Sequence, residues 1–378
     1  MNEKGNVIRV LHVVDNLSIT AGVSNMLMNL YRSIDKKKIQ FDFLVAAHSE
    51  KSYEREIVCL GGCVFYFGNP LSFRTFLSAN RKANDFFRQN AGKYNVVHLH
   101  SPTICEFTVK YAKKYGVRHI IIHSHSSMTS VNPIKAFINS ILQRRVKQLA
   151  TEYWACSTEA GEYLFGKENK HKTTIIFNAV NTDSYAFDEK KRKKIRSSLG
   201  LDGCVAIFHV AYFTPIKNHV FLIPIIKKLY KSSSNIKFVF VGVGSEKEHF
   251  ENELKKQQLL NQCLFLGRRN DVNNLLQAAD LLILPSIKEG LPVTVVEGQA
   301  SGLPCMISDS ITHDVQVNNV TYVPLDSNKW VEYIESFIPF DDKTRREKSL
   351  AFRKSKFNIL HEAERVLGLY SKMLQEDD

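Results

Sequence analysis

The sequence predicts two doubly wound α/β domains, each a parallel sheet wrapped by helices. Three observations carry this expectation. The chain has 378 residues, more than one compact α/β unit ordinarily holds, so two cores are the natural solution. Short β-branched runs alternate with helix-length polar–apolar segments almost to the C-terminus. The runs are about four to eight residues long and apolar throughout, the pattern of strands buried on both faces of a parallel sheet.

In the first half the strand candidates are Val7–Val14, Phe41–Ala46, Val64–Phe67, Val96–Leu99, His119–His123, Tyr153–Ala155 and Thr174–Phe177. The second half offers Val205–Val210, Lys237–Val241, Cys263–Leu266, Leu281–Leu284, Pro304–Ile307 and Thr321–Val323. Between the two series the polar stretch Asp183–Gly203 carries the basic run Lys190–Lys194 and reads as a connection plus a short helix. A final helical stretch spans roughly Lys343–Leu374. The domains are therefore expected at residues 1–182 and 183–354. Ligands of such sheets sit beyond the carboxyl ends of the strands, which makes a cleft between two facing edges the first place to look.

Composition narrows the function. With 44% hydrophobic and 24% charged residues the chain is globular. No apolar run approaches the roughly 18–20 residues of a membrane span, and no signal-peptide core follows Met1. The 7 cysteines are scattered, without a CxxC pair, which predicts a reducing cytoplasm and no structural zinc. A net charge of +13 fits phosphate-bearing substrates, an anionic membrane surface or nucleic acid. The basic residues are dispersed and no nucleic-acid motif accompanies them, which argues against the last.

The sharpest segment is Asp280–Gly302. The strand Leu281–Leu284 ends at Pro285-Ser286, a loop carries Glu289-Gly290, and Pro292 stands where a helix would begin. The amides of Gly290, Leu291 and Val293 would then face outward at a helix N-terminus, where partial positive charge favours phosphate. Glu297, set among Val293, Val295 and Val296, either faces solvent or needs hydrogen-bond partners such as vicinal sugar hydroxyls.

Glu289, seven residues, then Glu297, followed by Gln299-Ala300-Ser301-Gly302, resembles the E-x7-E signature of family 4 (group 1) retaining glycosyltransferases. The likeness extends along most of the chain. Asp15-Asn16 with Ala21-Gly22-Val23-Ser24 resembles the first-strand glycine loop. His98-Leu99-His100-Ser101 and His123-Ser124-His125-Ser126 resemble the N-domain histidine segments. Asn178–Asp183 is similar to the domain-linking signature. Lys217-Asn218, Gly242-Val243-Gly244, Phe265-Leu266-Gly267 and Asp271-Val272 are similar to the donor-domain motifs.

This resemblance implies a GT-B fold: two Rossmann-like domains, the first for the acceptor and the second for the nucleotide-sugar, with a C-terminal helix at about 355–378 packing back on the first. It implies that Glu289 contacts the transferred sugar, Glu297 the ribose, and Lys217 the diphosphate, while Gly267, Arg268, Arg269 and Val272 line the base pocket. Gly22 and Val23 would approach the donor, and Gly242, Gly244, Gly290, Leu291, Pro292 and Val293 would complete its site. His125, or else His123, would face the sugar, with His100, Ser101 and His125 toward the acceptor. The expected donor is a UDP-sugar, with GDP and ADP left open, and the expected acceptor a lipid-linked saccharide at the cytoplasmic membrane face. No D-x-D triplet is present, so Lys217, the helix N-terminus and loop amides are expected to stabilise the leaving group without a metal or other cofactor. No carboxylate nucleophile declares itself, which favours front-face transfer with retention.

One departure stands out. Relatives usually carry Gly and Arg where this chain has Ala211-Tyr212, so the diphosphate loses a bidentate cation that Arg268 or Arg269 would have to replace. A non-catalytic sugar-binding partner is therefore one alternative, and a GT-B epimerase or phosphorylase another. Two basic–aromatic segments, Phe73–Lys93 (Arg74, Phe76, Leu77, Arg81, Lys82, Phe86, Phe87, Arg88) and Pro133–Ala150, are candidates for an anionic membrane surface, peripherally bound. Each also fits an ordinary helix packed on a sheet.

Overall fold

The computed structural model describes residues 7–68, 73–101, 105–125, 145, 148–232 and 235–376. The chain divides into two compact units, Met1–Ala179 with Ile359–Asp378, and Val180–Asn358. Each unit is a wholly parallel sheet. The first holds β1 (Ile8–Val14), β2 (Ile39–Val45), β3 (Val64–Tyr66), β4 (Val96–Leu99), β5 (His119–Ser124), β6 (Glu152–Ala155) and β7 (Thr173–Ile175). Its strand order is β3-β2-β1-β4-β5-β6-β7. The second holds β8 (Val205–Val210), β9 (Ile236–Val241), β10 (Cys263–Gly267), β11 (Leu281–Leu284), β12 (Cys305–Ser308) and β13 (Val320–Val323), in the order β10-β9-β8-β11-β12-β13.

Every strand expected from the sequence is present, shifted at most by two residues at an end. Both sheets reverse direction of growth beside their first strand, between β1 and β4 and between β8 and β11. Such reversals leave a crevice beyond the strands' carboxyl ends, because the crossover helices diverge to opposite faces there.

Two layers of core flank the first sheet. Val10, Val14, Phe41, Phe43, Val96 and Ile121 face the helices Gly22–Ser33 and Ile359–Gln375, while Leu11, Val13, Val97, Leu99, Ile120 and Ile122 face the helices Phe73–Gln89 and Cys105–Lys114. The returning helix Ile359–Gln375 is thus part of the first unit's core through Ala363, Val366 and Tyr370. The expected single stretch Lys343–Leu374 is two helices, Asp342–Phe352 and Ile359–Gln375, each belonging to a different unit. The stretch expected to be a connection plus a short helix holds two helices, Thr182–Tyr185 and Glu189–Ser198, both in the second unit.

Arginines finish the second core. Arg345, 1% exposed, donates to the carbonyls of Leu276, Gln277, Ala279 and Ser301 at 2.9–3.1 Å. These are carbonyls at helix C-termini that have no partner within their own helices. Arg192 and Arg196 both pair with buried Asp280, at 2.5 and 2.9 Å.

Candidate functional site

In the second unit, candidate residues gather where β8 and β11 end. β11 is fully buried and leads into the loop 285–292 and the helix Val293–Ala300. Pro292 does not begin that helix. It caps it one residue earlier, in extended conformation with φ −74° and ψ 102°. Val293, Thr294, Val295 and Val296 are poor helix formers, so packing holds this helix. Val295 and Val296 are fully buried, and Thr294 Oγ1 donates to the Val210 carbonyl at 3.1 Å. Gly298 permits the close seat, since a Cβ there would come within 2.6 Å of Leu282 Cδ2 and 2.9 Å of Cys305 Sγ.

Glu297 is carried on this helix, largely withdrawn from water and not facing solvent. Burial raises its carboxyl to about 7, partly opposed by a 2.6 Å hydrogen bond donated by the Tyr185 hydroxyl. Lys217 belongs to the tight turn Pro215–Lys217 that follows β8, and its Nζ lies 2.5 Å from Glu289 Oε1. Two bonds stitch the turn to the Glu289 loop: Asn218 Nδ2 donates to the Pro285 carbonyl at 3.2 Å, and the Ile287 amide to the Ile216 carbonyl at 2.9 Å. Asn218 holds a left-handed φ of 55° to do so.

Gly242 and Gly244 follow β9 in the crowded gap beside the β8 loop. A Cβ on Gly242 would lie 1.9 Å from the Ala211 carbonyl oxygen, and one on Gly244 2.2 Å from that of Phe213. Their glycine character is thus required by backbone packing. Tyr212, the residue that departs from the family pattern, is 39% exposed. Gly267 takes a left-handed φ of 62°, and Val272 begins the helix Val272–Ala278. Arg268 and Arg269 are both exposed, but Arg269 is engaged by Asp271 through two bonds of 2.7 and 2.8 Å.

In the first unit the ends of β1, β4 and β5 bear a ladder of histidines on one sheet face. His12 sits beside His98 in register, and the two-residue strand period puts His98 with His100, and His123 with His125, on that same face. His12 Nδ1 lies 3.0 Å from His100 Nε2, and His100 Nδ1 2.8 Å from His125 Nε2. His98 Nε2 lies 3.1 Å from His123 Nδ1, and His98 Nδ1 2.6 Å from the Tyr370 hydroxyl. Burial holds all five imidazoles below their ordinary value, His12 and His125 to about 3, so they are neutral near pH 7. One ring nitrogen each of His12, His98 and His100, and of His100, His123 and His125, lie within 4.8 Å of one another. Buried Ser101 hydrogen-bonds the Asp15 carboxyl. Gly22 opens the helix Gly22–Ser33 with Val23 packed on the core, and no heavy atom lies within 4 Å of a Cβ built on Gly22.

The proposed membrane stripe Phe73–Lys93 divides. Phe76 and Leu77 are 40% and 59% exposed, but Phe86 and Phe87 are buried in the core. The sequence shows both pairs as apolar residues at helical spacing and does not say which face a sheet covers. Most of Pro133–Ala150, including Ile134, Lys135, Phe137, Ile138, Ile141, Leu142, Arg144, Val146 and Lys147, lies outside the described residues, as does Ser126. Three contributors escaped the sequence analysis: His12, Tyr185 and Tyr370. His12 left one signal, a polar residue at a core-facing position between Val10 and Val14.

The architecture and the placement of these groups at both switch points define a GT-B glycosyltransferase fold. Residues 20–184 match the model for Glycosyltransferase Family 4, and residues 191–348 that for Glycosyl transferases group 1. The putative glycosyltransferase EpsF of Bacillus subtilis (strain 168) is 34% identical over 317 residues, covering 81% of this chain and 80% of that protein. An Escherichia coli UDP-Gal:alpha-D-GlcNAc-diphosphoundecaprenol alpha-1,3-galactosyltransferase is 26% identical over 298 residues, covering 75% and 76%. Among solved structures, Anabaena Alr3699/HepE in complex with UDP and glucose superposes with a TM-score of 0.78 at 16% identity, covering 97% of this chain and 100% of that one. The chain belongs to the family 4 (group 1) glycosyltransferases. It is a glycosyltransferase of the kind that serves capsule and exopolysaccharide biosynthesis.

Proposed function

We propose that this enzyme moves a hexose or N-acetylhexosamine from a UDP-sugar to a lipid-linked saccharide, with retention at the anomeric carbon and without a metal ion or other cofactor. Support for the donor and acceptor classes comes from the E. coli relative, whose name specifies both a UDP-sugar and a diphosphoundecaprenol acceptor. The observation that carries the assignment is the convergence of Lys217, Glu289 and the desolvated Glu297 on one loop–helix unit beyond β11.

A carboxylate withdrawn from water asks for donors. The two ribose hydroxyls supply them to Glu297, displacing or sharing the Tyr185 bond. Glu289 receives hydroxyls of the transferred sugar. Lys217 meets charge developing on the departing diphosphate, helped by first-turn amides of the helix Val293–Ala300. Gly267, Arg268, Arg269 and Val272 border the base, and Gly242, Gly244, Gly290, Leu291 and Pro292 shape the walls. In the first unit, Gly22 leaves room for close approach of the donor, with Val23 packed on the core beside it; His125 backed by His123 serves the sugar, and His100, Ser101 and His125 serve the acceptor. Among the described residues no helix is long and apolar enough to cross a membrane. Peripheral attachment at an anionic cytoplasmic membrane face is part of this proposal, and exposed Phe76 and Leu77 are the described residues that support it.

A second reading has its own observation. Tyr212 stands where the family resemblance implies arginine, and Arg269 is engaged by Asp271. A diphosphate bound without either cation describes a non-catalytic binding partner. Incubation with UDP-, GDP- and ADP-sugars, with and without membrane lipid extract, decides between them. Nucleoside diphosphate release from one donor, stimulated by lipid and lost in Glu289→Ala and Lys217→Ala, supports the transferase. Tight donor binding with no release in any condition supports the partner.

A further inference from the structure

We propose that His100, His123 and His125 bind a divalent transition-metal ion of the Zn2+ class, and that an ion held there withdraws His125 from substrate. The first half stands on geometry alone; the second rests on the role proposed above for His125.

Three imidazoles with an open fourth position are an established donor set for Zn2+. Here one nitrogen from each ring already lies within 4.8 Å of the other two. Tetrahedral bonds of about 2.0–2.1 Å require nitrogens about 3.3 Å apart. The His100 Nδ1 to His125 Nε2 separation of 2.8 Å needs to open by about half an ångström. The donor on His123 is identified by elimination. Its Nδ1 is occupied by His98, and its Nε2 is buried without a hydrogen-bond partner among the described residues.

The groups behind these ligands admit the tautomers that ligation requires. Metal-bound histidines ordinarily donate their other N–H to a buried acceptor, which orients the ring. In one tautomer set His123 Nδ1–H donates to His98 Nε2, and His98 Nδ1–H to the Tyr370 oxygen. In the same set His100 Nε2–H donates to His12 Nδ1. One protonation pattern therefore leaves lone pairs on His100 Nδ1 and His123 Nε2 together, with both remaining N–H groups satisfied. The alternative trio His12, His98 and His100 is less suited: all three are at least 94% buried, whereas His125 is partly exposed and provides an entry. His100 cannot serve both trios with the same nitrogen, because Nε2 faces His12 and Nδ1 faces His125.

The full chain, stripped with a chelator, is titrated with Co2+ and followed by visible d–d absorption. One tetrahedral Co2+ per chain, displaced by Zn2+, is expected. The band is lost in His125→Asn and in His123→Asn and kept in the surface controls His171→Asn and His249→Asn, with thermal melting used to verify that each variant folds. No tetrahedral band at one equivalent, or a band that survives in folded His125→Asn and His123→Asn, overturns the site. In the second arm, nucleoside diphosphate release is measured with one equivalent of Zn2+ and again after chelation. At least a tenfold, chelator-reversible fall is expected, and bound Zn2+ with undiminished release overturns the withdrawal of His125. A chain that releases nothing under any condition overturns the transferase proposal instead, and the Co2+ titration still decides the metal site.

Discussion

The hydroxyl of Tyr185 donates a 2.6 Å hydrogen bond to Oε1 of Glu297, 112 residues further along the chain. This bond favours the ionised carboxylate, but burial outweighs it and leaves Glu297 near 7 rather than its ordinary 4.5. A ligand that offers two hydroxyls shifts that balance toward ionisation.

Affinity for the UDP-sugar is therefore expected to rise with pH between 6 and 8, by up to about tenfold per unit below the carboxyl's pKa, and to be flat in Glu297→Gln. Isothermal titration at several pH values checks this, and a flat wild-type profile refutes the ribose role. Stability of the empty protein runs the other way. The folded value is raised, so the protonated form stabilises the fold: that contribution is complete below about 4.5 and is lost as pH rises through about 7. Its loss is of order 3 kcal/mol and should be absent from the melting profile of Glu297→Gln.

Lys217→Ala is expected to lower kcat by about 10²–10³-fold, the usual consequence of removing a group that meets developing charge. It also frees Glu289 from its 2.5 Å ammonium partner. Glu289→Gln keeps the size and some hydrogen bonding, so it should retain more turnover than Glu289→Ala. Steady-state kinetics on the identified donor separates the effects, and equal kcat across all three variants counts against the site.

Two glycines should respond oppositely. Gly242→Ala drives a methyl into the Ala211 carbonyl oxygen, 1.9 Å from its ideal Cβ position, and should destabilise the second unit by at least about 2 kcal/mol. Gly22→Ala meets no heavy atom within 4 Å and sits in a helical turn, so stability should hold or rise by up to about 1 kcal/mol. If the donor approaches there, turnover falls nonetheless. Urea melts read alongside kinetics distinguish a structural glycine from a substrate-clearing one.

Arg345→Met should cost about 2–4 kcal/mol, because the buried carbonyls of Leu276 and Ser301 lose the Arg345 donor while those of Gln277 and Ala279 keep only Arg192. Arg345→Lys should recover only part of this, since an ammonium lacks the planar fork that reaches them together. Urea midpoints for the two variants provide the comparison.

The sequence by itself determined the strands, their parallel pairing and the two-unit plan, because continuous β-branched runs buried on both sheet faces are a local property of the chain. It also placed Glu289 and Glu297 on one loop and helix, eight residues apart, because their spacing is short and the connecting element is fixed. What only the tertiary structure decided was the company these residues keep. Tyr185 reaches Glu297, Tyr370 reaches His98 across 272 residues, and His12 joins the His98–His125 ladder from a different strand. Each partner arrives through a crossover or a returning helix, and neither leaves a period in the local sequence. The same reason divides Phe76 from Phe87: helical spacing marks both as apolar, and only docking on the sheet selects which is covered.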